Sequence, residues 1–262
     1  MRRFNPKDWI NWLLRYFKPK SKKKSKKPRN IGKEILSGIG IPLILALIIK
    51  ASVVEAYVIP SGSMEKTLYT GDQILGNKFV YGMRLPIPYV DIKLPAIDDP
   101  KPGDIVVFRY PPNPTQNYIK RCVAVEGQTV EIKNKKLYVD GELVNLPPDG
   151  QFLDKRVIPP YDEDVRWKGG WRDNMPKQLV PKGKLFVMGD NRDNSFDSRF
   201  WGYVDRDQVL ARAIIVLWSW EYPEQINTRN GLSNVDLWMY TLKHFPYLIQ
   251  HMRYDRFFKI AL

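Results

Sequence analysis

Two serines flank a glycine in Ile59-Pro60-Ser61-Gly62-Ser63-Met64. Gly62 permits positive φ, so the segment can turn tightly, and the pair offers a hydroxyl nucleophile beside a second hydroxyl donor. A serine attacks a carbonyl efficiently only when a base takes its proton. Histidine occurs twice in the 262 residues, at His244 and His251, so a Ser-His-Asp triad would have to use one of those two. Lysine serves as the base when it is neutral, which demands burial among apolar groups to push its pKa down. Lys120 meets that demand, lying within the otherwise apolar run Tyr-Ile-Lys-Arg-Cys-Val-Ala-Val. Each feature alone also fits something plainer, an ordinary turn at 60–63 and a strand lysine facing water.

A third feature is less ordinary. Residues 189–204 read GDNRDNSFDSRFWGYV, which crowds Asp190, Asn191, Arg192, Asp193, Asn194, Ser195, Asp197, Ser198 and Arg199 into ten positions. A calcium loop of the EF-hand type would need Gly at its sixth position and a distal Glu, and this stretch supplies neither. A hydrogen-bonded network bracing a catalytic pair suits it better. Ser63-Met-Glu-Lys66 formally spells S-x-x-K, which would make Lys66 the base, but the accompanying S-D-N and K-T-G motifs are absent. Cys122 reads as a small apolar strand residue rather than a thiol nucleophile.

The elements that must position these groups read as strands. Short runs rich in Val, Ile, Tyr and Phe recur between turn signals: DQILGNKFVYG, GDIVVFRY, YIKRCVAVEG, QTVEIKN, KLYVDGELV, GKLFVMGD and QVLARAIIVLWSW. Lys136–Val144 alternates around Asp140-Gly141, a hairpin signal. The 21 prolines, many of them between these runs, punctuate the chain against long helices. The expected fold is mainly β, an antiparallel sheet, with a Pro-, Gly- and charge-rich subdomain inserted at about 145–182.

Charge and hydropathy divide the chain before the strands begin. Of the net charge of +14, +11 falls in residues 1–34, leaving +3 for the rest. A basic arm of this kind could neutralise nucleic-acid phosphates. It stops, however, at the apolar run ILSGIGIPLILALII, which continues through Lys50 to Val54. A lysine near the end of a span can keep its stem in hydrocarbon and its ammonium among headgroups. A core helix has no use for eleven net positive charges upstream, whereas a membrane span does, because positive flanks stay cytoplasmic. The expectation is a basic cytoplasmic tail at 1–34, a single transmembrane helix at 35–54, and an extracytoplasmic domain at 55–262, in the cell membrane, with no nucleic-acid partner. One cysteine excludes an internal disulfide. Dinucleotide-binding and Walker loops are absent as well.

Taken together, PSGSMEKTL at 60–68, GDQILGNKF at 71–79, YIKRCVAVEG at 118–127 and GDNRDNSFDSRFWGYV at 189–204 resemble, in order, the four boxes of bacterial type I signal peptidase. The matching pieces span 31 to about 220. Arg253–Lys259 resembles the closing basic-aromatic segment of the family, leaving about 222–250 as an unmatched insertion. The resemblance implies a largely β catalytic fold and a serine endopeptidase that removes N-terminal signal peptides from exported preproteins, cutting after small residues of the Ala-x-Ala type. It implies Ser63 as nucleophile and Lys120 as general base. Ser61 and the backbone N–H of Ser63 would form the oxyanion hole, and Ser195 would hold the lysine. Asp197 and Arg199 would be a bracing ion pair, with Tyr118 and Met64 lining the site. Substrate would bind as an added strand. Expected partners are signal peptides and the lipid bilayer, with a monomer as the expected state and neither cofactor nor metal required. The sequence departs from the family at Lys66, where proline is usual, and at Cys122, Ala124, Glu126 and Gln128, which bears on local loop shape and substrate preference. Two other readings keep the same β domain: a membrane-anchored scaffold or inactive homologue, and a self-cleaving repressor-type Ser/Lys protease, disfavoured by the anchor and by the lack of a DNA-binding segment.

Overall fold

In the computed structural model of the protein, the described residues are 53–82, 94–159, 171–221 and 245–261, with the isolated positions 38, 40–43 and 243. The basic tail at 1–34, most of the apolar run at 35–54 and most of 222–250 lie outside them. Among the described residues no helix is long and apolar enough to cross a membrane.

The strands in chain order are β1 (Val54–Val58), β2 (Asp72–Asn77), β3 (Ile105–Tyr110), β4 (Asn113–Val125), β5 (Thr129–Lys133), β6 (Lys136–Val139), β7 (Glu142–Val144), β8 (Met175–Leu179), β9 (Lys184–Met188), β10 (Val204–Asp205) and β11 (Val209–Ser219). They form a seven-stranded sheet ordered β1-β2-β11-β3-β4-β9-β10 and a four-stranded sheet ordered β7-β6-β5-β8. The paired strands of both are antiparallel. A four-residue helix α1 (Ser198–Trp201) and a second, α2 (Phe245–Gln250), complete the regular structure described.

Each sequence run named above contains a strand. Ile105-Val106-Val107-Phe108 are all buried, as expected of a central strand covered on both faces. The Asp140-Gly141 hairpin closes with φ of 52° and 86°, the two positive values that a type I′ turn requires. Three strands escape the sequence reading: β1, merged into the end of the apolar run; β8, spelled Met-Pro-Lys-Gln-Leu; and the two-residue β10. Of the stretch 145–182, one strand, β8, is described, and it completes a sheet begun by the hairpin at 129–144.

The larger sheet curls. Although β1 and β4 are separated by three strands, Ile59 just after β1 and Ile119 of β4 share one apolar cluster with Met64, Ile74, Val107 and Val216. The smaller sheet packs Val130, Ile132 and Leu137 against Val123, Phe186 and Met188 of β4 and β9. The segment after α2 runs beside β11, with Phe258 N–H donating to Val216 O and Val216 N–H to Lys259 O. Arg256 from that segment grips Asp72 at the start of β2: Nε donates to Oδ1 at 3.0 Å and Nη2 to Oδ2 at 2.5 Å. Its Nη2 also donates to the Thr67 carbonyl at 3.0 Å, and the guanidinium lies 4.2 Å from the Tyr69 ring centroid. Both ends of this ion pair are buried, so deleting one leaves the other charge uncompensated in a low-dielectric interior. Arg256→Ala is expected to destabilise the domain by about 3–5 kcal/mol, read as a lowered urea midpoint at constant m-value. An unchanged midpoint would show the clamp to be dispensable.

Candidate active site

Ser63 sits in a single 3₁₀ turn, Gly62–Met64, that leaves the curled edge after β1. Three contacts from residues 190–191 fix this turn: Asn191 N–H donates to Ser63 O at 3.1 Å, Asn191 Nδ2 to Gly62 O at 3.0 Å, and Asp190 N–H to Met64 Sδ at 3.4 Å. A further bond, from Thr67 Oγ1 to Asp190 Oδ2 at 2.7 Å, ties down the residues that follow. Asp190 is itself held by the Arg121 guanidinium, whose Nε and Nη2 donate to its carboxylate at 2.9 and 2.8 Å.

Lys120 reaches the turn from β4. Its Nζ lies 2.7 Å from Ser63 Oγ and donates to Ile119 O at 2.9 Å. The side chain is 4% exposed. Burial pushes its pKa down to about 8, outweighing the opposing pull of the Asp197 and Asp190 carboxylates, and the Arg199 guanidinium lowers it further. At pH 7 about one molecule in ten therefore carries the free amine, against fewer than one in a thousand for an unperturbed lysine. In that form the Ser63 hydroxyl donates to the amine lone pair, the geometry needed for proton removal.

The remaining residues singled out in the sequence converge on this pair. Ser61 Oγ lies 3.4 Å from Ser63 Oγ. The Tyr118 ring centroid is 5.5 Å from Lys120 Nζ, and that ring stacks on Tyr110 at 4.2 Å. Met64 is fully buried beneath the turn. Asp197 and Arg199 form a buried two-pronged ion pair, with Nε to Oδ1 and Nη2 to Oδ2 both at 2.8 Å. Burial pushes the Asp197 carboxyl up, but Arg199 and the N–H of Gly189 outweigh it and hold the group below its ordinary value. Ser195 is buried here too, beside Asp197, and its Oγ makes no hydrogen bond to Lys120, which bonds Ser63 and Ile119 in this geometry.

The competing arrangements fall apart. Lys66 is exposed, and its φ of 74° is closed to proline, so this turn differs locally from one that carries proline there. Burial pushes the Cys122 thiol up to about 12, which leaves it a core side chain. Of the other departures, Glu126 accepts from Gly183 N–H, and Gln128 bridges Val125 N–H and Asp140. Both therefore shape the β4–β5 turn rather than the dyad. His251 stacks on Tyr247 at 3.9 Å in the segment after α2.

The sequence pattern of the family described as signal peptidase, peptidase S26, matches residues 32–218. The chain belongs to that family. Signal peptidase I of Pseudomonas aeruginosa is 40% identical over 209 residues, covering 72% of this chain and 73% of its own. Signal peptidase I of Aquifex aeolicus is 34% identical over 224 residues, covering 69% of this chain and 82% of its own. The mainly antiparallel β fold is thus that of a signal peptidase, and the chain is a peptide-bond hydrolase.

Two residues that the sequence did not mark matter to this signal peptidase's geometry. Arg121, next to Lys120, is partner to Asp190, and its position directly after the candidate base was the available hint. Gly189 touches both halves of the site: a Cβ there would lie 2.3 Å from Ser195 Oγ and 2.5 Å from the Ser63 carbonyl oxygen. One of those neighbours is backbone and cannot swing aside. Gly189→Ala is expected to lower peptidase kcat/KM by at least about a hundredfold, because a shift of about 1 Å at Ser63 would cost that much in a site built around it. Wild-type activity in a folded variant would refute the close fit.

Proposed function

We propose that the chain is a membrane-bound serine endopeptidase that removes signal peptides from exported preproteins by a Ser63/Lys120 dyad. The observation that carries this reading is the 2.7 Å approach of Ser63 Oγ to a buried lysine amine held near neutrality. Lys120 takes the hydroxyl proton as Ser63 Oγ attacks the scissile carbonyl. The Ser63 N–H and the Ser61 hydroxyl donate to the oxyanion as it forms. Lys120 then passes its proton to the departing amine, leaving the signal peptide esterified to Ser63. A water attacks that ester with Lys120 again as base, and the freed carboxylate leaves. Asp197 and Arg199 act at one remove, holding the segment that carries Gly189 and Ser195.

Substrate lies extended against β1 and the outer edge of β4, with small residues at −1 and −3 over Ile59, Ile119 and Val107. Crowding of these apolar side chains favours alanine over larger residues. Residues 35–54 anchor the enzyme, with the basic tail cytoplasmic and the catalytic domain outside. Confining enzyme and preprotein to one bilayer raises their effective concentration.

In the deciding experiment, full-length protein in detergent is given a preprotein with an Ala-x-Ala site. Cleavage after the second alanine is expected from wild type, with a loss of at least about a thousandfold in Lys120→Ala and little change in Lys66→Ala. Because only the free amine accepts the proton, kcat/KM rises with pH and levels off above about 8. Persistent cleavage by folded Lys120→Ala would exclude this base, and a flat profile from pH 6 to 9 would exclude its titration.

A further inference from the structure

Beyond the dyad, the larger sheet carries a second concavity. Glu55 and Tyr57 of β1, Lys78, Arg109 of β3, Asn117 of β4 and Leu210 of β11 line a trough of about 220 Å³. Strand register sets its position. Val107 pairs with Ile119 and Arg109 with Asn117, and residues two apart on a strand share a face. Tyr57 packs against the cluster that holds Ile59, Val107 and Ile119. The trough therefore continues, along β1 and β4, the apolar wall of Ile59, Val107 and Ile119 that also holds Met64, the neighbour of Ser63.

Two strand edges open onto this line. β1 is the end strand of its sheet, and β4 pairs with β9 only from Arg121 onward. An extended peptide in the groove can bond to either edge. With −1 and −3 over the apolar wall, strand periodicity turns −5 to the same side, about 13 Å beyond −1 at roughly 3.3 Å per residue. That is the length of β1 from Ile59 back to Glu55.

The charges in the trough are not balanced. Glu55 is already engaged, 3.3 Å from Lys78 Nζ and accepting from the Tyr57 hydroxyl at 2.9 Å. The Tyr57 ring is fixed over Gly76, where a Cβ would meet it at 2.7 Å. Arg109 is half-buried, and among the described residues its guanidinium makes no hydrogen bond or ion pair. A planar, permanently charged fork faces a groove whose lining carboxylate, Glu55, is already held by Lys78 and Tyr57.

We propose that this trough is a subsite for the side chain at −5 of the preprotein, and that Arg109 there favours acidic residues over lysine and arginine. The inference rests on the peptidase reading above. The full-length enzyme is tested on preproteins that share an Ala-x-Ala site and differ only at −5, carrying Glu, Gln, Ala or Lys. Ratios of kcat/KM are compared within each enzyme, so that overall losses cancel. Wild type is expected to cut the Glu substrate about three- to tenfold better than the Lys substrate, the scale of a partly exposed ion pair. Arg109→Glu reverses that order, and Arg109→Gln, should charge reversal impair folding, brings the ratio within about twofold of one. The same exchange at −4, on the opposite side of the strand, leaves the ratios near one. A wild-type ratio near one, a preference that Arg109→Glu leaves intact, or one that follows −4 would overturn the subsite, while Lys120-dependent cleavage of the −5 Ala substrate would keep the peptidase reading standing. No cleavage of any substrate by folded wild type would overturn both.

Discussion

Lys120 can remove a proton from Ser63 only as a free amine, and a lysine held near two carboxylates ought to stay charged. Asp190 and Asp197 are the two anions whose fields reach it. Each is buried, and each is matched by its own guanidinium, Arg121 in the first case and Arg199 in the second. The amine is thus left without a counter-ion, and desolvation decides its protonation state. Remove Arg199 and the orphaned Asp197 carboxylate would favour the ammonium form. The ion pairs hold loops in place, and Arg199 also offsets part of the carboxylates' pull on the lysine.

This requirement reaches into the fold. Lys120 lies on β4 one residue before β9 begins to pair, so its backbone is rigid on one side while its outer edge stays open to a substrate. Arg199 extends the bracing outward, with Nη1 donating to Arg172 O and Nη2 to Arg192 O. Arg172 in turn meets Asp173, and Lys135, at the β5–β6 turn, meets Asp193 of the polar loop at 2.7 Å. The hairpin turn of the smaller sheet steadies the loop that carries Gly189 and Ser195.

The parts of this arrangement legible in the sequence are those written locally. Ser61-Gly62-Ser63, the dense polar run from 189 and the alternation around Asp140-Gly141 carry their meaning in neighbouring residues. The scarcity of histidine directed attention to lysine, and an apolar strand context selected Lys120 from many. What stayed hidden depends on distant approach. Gly189 looks like any turn glycine until Ser195 and Ser63 come within a methyl group of it. Strand β1 was masked because its Val-Glu-Ala-Tyr-Val continues an apolar run without a turn signal, and β8 because proline argues against a strand. The charge on Arg109 is ordinary until the curl of the sheet brings β1 opposite β4.

Asp72 and Arg256 stand 184 positions apart, yet their ion pair closes over the carbonyl of Thr67, four residues past Ser63. A ribosome makes those two halves at different times, Asp72 long before Arg256. While the second half is still being made, the loop that follows Ser63 stays unfastened. A chain that ends short of Arg256 therefore holds Ser63 and Lys120 without the clamp that fastens the loop between Ser63 and Asp72.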